Sequence, residues 1–278
     1  MTAAPTRAEM GQAIAARLGE ERDALAAEFK LGPVRAFALD DALPAAMAGA
    51  IADAFPPTEQ LVFKDTLRER KHVGVAMDAY APVVKDAVFA WQAPEVVRAV
   101  AEITSLKALE PDPELYAGGI SAMVTGAYLR PHVDNSHDHA RARYRVLNLL
   151  HYVSPDWDDA DGGALELWDA KLKNPRVLPA RFNRLVVMAT DTRSWHSVSP
   201  VRADDKGARR CVSNYYFSKV RPAHEPADYA HVTRFRGRPG EPLIDAALQL
   251  DGLARNAARR FFKHGPAPTR HIYRDGAG

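Results

Sequence analysis

A His-x-Asp triplet, His132-Val133-Asp134, and a second histidine, His196, sixty-two residues after the aspartate constrain the fold of this chain more than any other feature. Residues i and i+2 of a strand project to one face of a sheet, so His132 and Asp134 can reach a single ion together. Two imidazoles and one carboxylate suit an octahedral Fe(II). They occupy one face of the metal and leave three positions open, as O2 activation requires. His196 completes such a set only if the fold carries a distant strand back beside the first.

The triplet alone decides little, since 10 histidines and 35 acidic residues in 278 give a His-x-acid pattern about once by chance. The flanks carry more. Gly126 to Pro131 reads as a turn feeding a strand, Val146 to Val153 as an apolar strand, Asp161-Gly162-Gly163 as a turn and Ala164 to Trp168 as a further strand. Pro179 to Arg184 then leads into Leu185 to Met188, and His196 follows. Many short strands separated by Gly, Pro, Asn and Asp turns predict a mostly β core, a double-stranded β-helix or jelly roll, which sets distant strands side by side.

Five segments sharpen this: Tyr128-Leu129-x-x-His132-Val133-Asp134-Asn135, Tyr152-Val153-x-x-Asp156-Trp157, Gly162-Gly163-x-Leu165, Asn183-Arg184-Leu185-Val186 and His196-x-Val198-x-Pro200. In their order and spacing, the stretch from about Gly119 to Phe217 resembles the Fe(II)/2-oxoglutarate dioxygenases of the prolyl 4-hydroxylase type. The resemblance implies His132, Asp134 and His196 as metal ligands. It also implies Fe(II), 2-oxoglutarate and O2 as cofactor and cosubstrates, with ascorbate as an optional reductant. Halogenation is disfavoured, because halogenases of this type replace the carboxylate ligand and Asp134 is present.

The family binds the distal carboxylate of 2-oxoglutarate with a basic residue on the strand after the second metal histidine. Here Arg209 and Arg210 open that strand, and alternation lets only one point inward. Matching the aromatic end of the strand to the family favours Arg209, with Cys211, Ser213 and Tyr215 on the same inner face, and leaves Arg210 as the alternative. A guanidinium suits the role because its planar fork binds a carboxylate through two hydrogen bonds and stays charged. The spacing from His196 exceeds the usual one, with Ala203 to Gly207 as the inserted turn. Tyr152 matches a family tyrosine that also reaches 2-oxoglutarate, while Met123 stands where the family often has tyrosine. Arg145 matches an arginine near the entrance of the oxygen-sensing enzymes and is a substrate-contact candidate, together with Asn135, Trp195 and Tyr215.

Structural roles compete for several of these residues. Asn135 either caps a turn or supports the ligands. His137 and His139, in a polar loop, read as solvated rather than metal-bound, and His151 as packed on the outer face of its strand beside an inward Tyr152. Trp168 and Trp195 read as walls. Cys211, the only cysteine, can form no internal disulfide and reads as packing.

The chain divides into a helical support region over residues 1–110, the β core over 111–220 and a C-terminal wrap and helix over 221–278, together one structural domain with helical flanks. Thr6-x-x-Glu9 is a capping box opening a helix to about Lys30. Val34 to Leu39 reads as a strand, Asp41 to Phe55 as a helix, Lys64 to His72 as a charged, solvated loop or strand, and Pro82 to Trp91 and Pro94 to Leu106 as helices. Lys219 to Pro242 is expected to wrap the surface. A last helix near Glu241 to Lys263 ends in Arg259, Arg260 and Lys263 and is expected to dimerise or to close the site.

A formal charge of +2 gives no reason to invoke nucleic acid or membrane partners. No basic leader or spanning apolar run is evident, so a soluble cytoplasmic protein is expected. The resemblance implies oxidative decarboxylation of 2-oxoglutarate coupled to hydroxylation, with desaturation and cyclisation open to the same chemistry. A free amino acid or small metabolite is the favoured substrate, a prolyl residue in a protein the alternative. A binding module without turnover, and a zinc or nickel enzyme on the same scaffold, are the competing classes.

Overall fold

The computed structural model describes residues 4–203 and 206–261. Thirteen strands run in chain order: β1 (Ala36–Leu39), β2 (Val62–Asp65), β3 (Glu69–Gly74), β4 (Leu109–Pro111), β5 (Gly119–Met123), β6 (Tyr128–Val133), β7 (Tyr144–Tyr152), β8 (Leu165–Leu167), β9 (Arg176–Leu178), β10 (Leu185–Ala189), β11 (His196–Val198), β12 (Arg209–Ser218) and β13 (Arg234–Phe235). They pair antiparallel in the order β1-β10-β7-β12-β5-β3-β6-β11-β8-β9, with β2 beside β3, β4 beside β12 and β13 beside β6. This path rolls into the expected jelly roll. Strand β3 joins its two halves, pairing with β5 through His72 to Gly74 and with β6 through Glu69 and Arg70.

Alternation along the central strands builds two cores. On β10, Leu185 and Val187 face a layer of helices while Val186 and Met188 face the barrel interior. On β12, Val212 and Tyr216 face the helices while Cys211 turns inward. The helices are α1 (Arg7–Glu20), α2 (Arg22–Glu28), α3 (Ala45–Asp53), α4 (Pro82–Ala90), α5 (Pro94–Thr104) and α6 (Pro242–Phe261). Except for α6, they supply Met10, Ile14, Leu18, Leu25, Ile51, Val84, Val100 and their neighbours to the outer core. Each such fully buried aliphatic side chain contributes roughly 1.5–3 kcal/mol.

Asn183 ties the layers together. It sits at φ +58°, and its side chain both accepts from the Leu43 amide and donates to the Leu43 carbonyl while meeting Nε2 of His151 at 3.2 Å.

Several boundaries differ from the sequence reading. The Thr6/Glu9 capping box forms, but the expected single helix breaks at Glu21, letting Leu25 and Phe29 turn onto the outer core. The helix expected from Asp41 starts only at Ala45, because Asp41 takes φ +52° and Pro44 sits at the cap. The N-terminal region is not only helical, since β1, β2 and β3 join the barrel sheet. The wrap after β12 contains β13, a strand too short to leave a pattern in sequence. Residues 204 and 205 of the inserted turn, and Lys263, lie outside the described residues. The side chains of Arg259 and Arg260 do as well. No helix among the described residues is long and apolar enough to cross a membrane.

Candidate active site

His132, next to last in β6, lies directly opposite His196 on β11, and their rings lie 4.0 Å apart. Asp134 follows just past the strand end. Nε2 of His132 is 3.7 Å from Oδ1 of Asp134, and Nε2 of His196 is 3.9 Å from Oδ2. All three donor atoms lie within 4.8 Å of one another, and all three residues are buried. The other ring nitrogens are taken: Nδ1 of His132 meets the Arg130 carbonyl at 2.9 Å, and Nδ1 of His196 meets the Ser194 carbonyl at 2.8 Å. A carbonyl can only accept, so each Nδ1 carries a proton and each Nε2 lone pair is left for a ligand.

Electrostatics favours a neutral His132 and an ionised Asp134. Burial, reinforced by neighbouring His196, pushes His132 down to about 3. Burial opposes ionisation of Asp134, but Arg145, the two histidines and Lys71 outweigh it and hold the carboxyl below its usual range. Two neutral imidazoles and one carboxylate are what a divalent ion needs. Oδ2 of Asp134 has no hydrogen-bond partner.

The two adjacent arginines go to opposite faces. Arg209 is 3% exposed and points into the barrel, its guanidinium 4.6 Å from the centre of the Tyr152 ring and its Nη1 3.7 Å from the Met123 sulfur. Arg210 points outward, donating to the Ala52 carbonyl at 3.0 Å and lying over Phe55. Inside, Nε of Arg209 and the Tyr152 hydroxyl are buried without partners. Burial raises the Tyr152 hydroxyl above its usual range despite the guanidinium, so it stays protonated and able to donate. Gly163, at φ +69°, makes room for this arginine: a Cβ there would lie 2.6 Å from Cδ of Arg209.

Arg145 is 2% exposed, stacks 4.2 Å over the Tyr215 ring and places Nη1 3.6 Å from Oδ1 of Asp134. Its Nε and Nη2 are also unpartnered. Burial and the nearby Asp134 charge raise the Tyr215 hydroxyl, which accepts from Asn148 at 3.3 Å. The remaining candidates take structural partners. Asn135 donates to the His137 carbonyl within its own loop, and Ser213 donates to the Gly119 carbonyl at 3.4 Å. Trp195 lies beside Arg234, on the side of β13 opposite Phe235 by alternation. His137 packs by Tyr144, His139 is exposed, His151 is buried against Trp91, and Cys211 is buried with its thiol pushed up to about 11.

Two features escape the sequence reading. The charged stretch around Lys71 is not merely solvated surface: Nζ of Lys71 pairs with Oε2 of Glu69 at 2.9 Å, both about one-fifth exposed. Val73 of β3 pairs with Ser121, which pairs in turn with the inward Cys211, so by alternation Glu69 and Lys71 share the face turned toward the barrel interior. Second, Phe235 of β13 stacks on His132 at 5.1 Å and is itself flanked by Arg68 and Arg255. A second donor cluster among the described residues brings Nε2 of His224 to 3.0 Å from Oδ2 of Asp191 and 3.4 Å from Oε1 of Glu225, and Glu225 also accepts from Thr192.

Residues 118–218, spanning β5 to β12, match the family described as the 2OG-Fe(II) oxygenase superfamily. The fold recurs in solved structures. A prolyl-4-hydroxylase from Pseudomonas putida superposes with TM-score 0.50 at 18% identity, covering 70% of this chain and 98% of that one. A structure of prolyl 4-hydroxylases from Phytophthora capsici gives TM-score 0.51 at 16% identity, covering 95% of this chain and 80% of that one. The non-heme alpha-ketoglutarate-dependent epimerase SnoN of nogalamycin biosynthesis gives TM-score 0.50 at 12% identity, covering 79% and 95%. At these identities the likeness is one of fold. No curated protein matches the chain in sequence.

Proposed function

We propose that this oxygenase uses Fe(II) and 2-oxoglutarate to hydroxylate an aliphatic C–H bond of a small charged substrate, a free amino acid in the first instance. The observation that carries the reading is the convergence of two Nδ1-tethered histidines and Asp134 on one point, with a buried arginine that lacks an anionic partner in the same barrel. His132, Asp134 and His196 would hold the iron. Arg209 and the Tyr152 hydroxyl would hold the distal carboxylate of 2-oxoglutarate, for which their unpartnered polar atoms are suited. Bound together, these groups supply the chemistry by which O2 and 2-oxoglutarate give succinate, CO2 and one oxygen atom for the substrate.

The residues around the site divide the remaining work. Arg145, stacked on Tyr215 and beside Asp134, orients that ligand and offers free N–H groups to a substrate anion. The Glu69–Lys71 pair offers one group of each sign. That is the complement of an ammonium and a carboxylate on one small molecule, and it supports a zwitterion over an apolar substrate. Phe235 covers one face of His132 and limits water there. The test is a screen of amino acids, peptides and small acids for substrate-stimulated succinate release, with mass spectrometry of the product. A gain of one oxygen on a free amino acid supports the reading. Stimulation by prolyl peptides alone, or a product of unchanged mass, overturns its substrate or its reaction class respectively.

A further inference from the structure

Helix α6 carries an apolar stripe that nothing among the described residues covers. Leu243 is 85% exposed and Leu250 and Leu253 are each 67% exposed, and Ala246, Ala247, Ala254 and Ala257 are exposed beside them. At 100° per residue these seven positions fall within an arc of roughly 120°, with no charged residue among them. The opposite side of the helix is the packed one. Leu248 is buried there, Asp245 pairs with Arg236, Glu241 pairs with Arg130, and Arg255 reaches Phe235. An uncharged stripe four turns long on a helix already docked by its other face marks an interaction surface.

We infer that α6 pairs antiparallel with α6 of a second copy of this chain about a two-fold axis at Leu250. The occupant follows from the order of large and small side chains. Antiparallel pairing centred on Leu250 sets Leu243 against the partner's Ala257, Leu253 against the partner's Ala247, and Ala246 against the partner's Ala254. Each large side chain then meets a small one across the interface, as interdigitated helices require, and Leu250 meets its own copy. A parallel pair would set Leu243 on Leu243 and Leu253 on Leu253. The backbone points the same way, since only antiparallel copies oppose their helix dipoles.

The single native cysteine, Cys211, is buried, so a cysteine introduced on α6 is the sole accessible thiol and reports its own neighbour. In full-length protein, Leu250→Cys should give a disulfide-linked dimer on mild oxidation. Leu243→Cys alone should not, since its copies would stand about 21 Å apart along the axis at 1.5 Å rise per residue. The Leu243→Cys/Ala257→Cys double variant should link. Light scattering at micromolar concentration should give twice the 30.5 kDa chain mass for the wild type and the single chain mass for Leu250→Glu. A monomeric wild type, or equal linking through Leu243→Cys alone and Leu250→Cys, overturns the inference. Monomeric protein that instead binds anionic lipid vesicles through this helix overturns it in favour of a membrane surface.

Discussion

Arg209 lies across the face of Tyr152, its guanidinium carbon 4.6 Å from the ring centre, and neither Nε of the arginine nor the tyrosine hydroxyl has a partner. Leaving a buried polar group unpaired costs roughly 1–3 kcal/mol, so this arrangement makes sense only if an anion completes it. The neighbouring Arg210, one residue along the strand, is already satisfied on the opposite face.

That contrast sets the first prediction. Arg209→Ala should raise the 2-oxoglutarate KM tenfold or more, on the order of 2 kcal/mol for a charge-assisted pair, while Tyr152→Phe raises it less. Arg210→Ala should leave the KM unchanged and lower the melting temperature. Titration calorimetry with 2-oxoglutarate and an inert divalent ion reads the difference. An Arg210→Ala effect as large as that of Arg209→Ala would mean the pocket is assigned to the wrong face.

Gly163 supplies the space Arg209 needs. An alanine there would meet Cδ of Arg209 at 2.6 Å and would hold φ +69°, a conformation costing a non-glycine residue about 1 kcal/mol or more. Gly163→Ala should weaken 2-oxoglutarate binding with little change in metal affinity, because the triad lies on other strands. Equal loss of both affinities would point instead to general unfolding of the core.

Glu69 and Lys71 are expected to act on the substrate rather than on the cosubstrate. Glu69→Gln and Lys71→Met should each raise the substrate KM several-fold and leave substrate-independent 2-oxoglutarate turnover near the wild-type value. Burial opposes the Glu69 charge, but Lys71 and Lys64 outweigh it and hold the carboxyl below its usual range. Glu69 therefore stays ionised as pH falls toward the ordinary carboxylate pKa, and the substrate KM should be flat from neutral pH to about pH 5. A substrate KM that is insensitive to both substitutions would remove the hairpin from substrate recognition.

His151 gives the fold an acid limit. It is buried beside Trp91 and Asn183, and burial pushes its pKa from 6.5 down to about 4. Above pH 6.5 both folded and unfolded chains hold it neutral and it contributes nothing. Between 6.5 and 4 only the unfolded chain takes the proton, so the folded state loses stability as pH falls, by roughly 3 kcal/mol at most. Denaturant unfolding from pH 8 to 4 should show a shallower acid slope in His151→Gln than in the wild type. Identical slopes would show that His151 is protonated in the fold.

Much of the core was readable because its residues obey strict local rules. His132 and Asp134 need an i, i+2 spacing, Gly162 and Gly163 need positive φ, β10 is a continuous apolar run, and the aromatic end of β12 sets its register through alternation. The N-terminal hairpin was not readable, because the inward residues of β3 are Glu69 and Lys71 and so lack the hydrophobic alternation that marks a half-buried strand. Strand β13 was hidden by its length of two residues, and the placement of Phe235 on His132 depends on pairing with β6 rather than on any local pattern. The early stop of α1 and late start of α3 arise from tertiary docking and from the left-handed Asp41, which periodicity does not report.

The central claim is that His132, Asp134 and His196 hold an iron that couples 2-oxoglutarate to O2. Its most direct measurement is Fe(II)-dependent succinate release from 2-oxoglutarate by the purified protein and by Asp134→Ala, with Fe(II) affinity measured anaerobically on both. The account predicts succinate and CO2 in equal amounts from the wild type. It also predicts loss of release in Asp134→Ala, a folded protein that binds Fe(II) at least tenfold more weakly, as removal of the only anionic ligand requires. Wild-type release in iron-saturated Asp134→Ala, or no 2-oxoglutarate decarboxylation by iron-loaded wild type across a broad substrate screen, would contradict it.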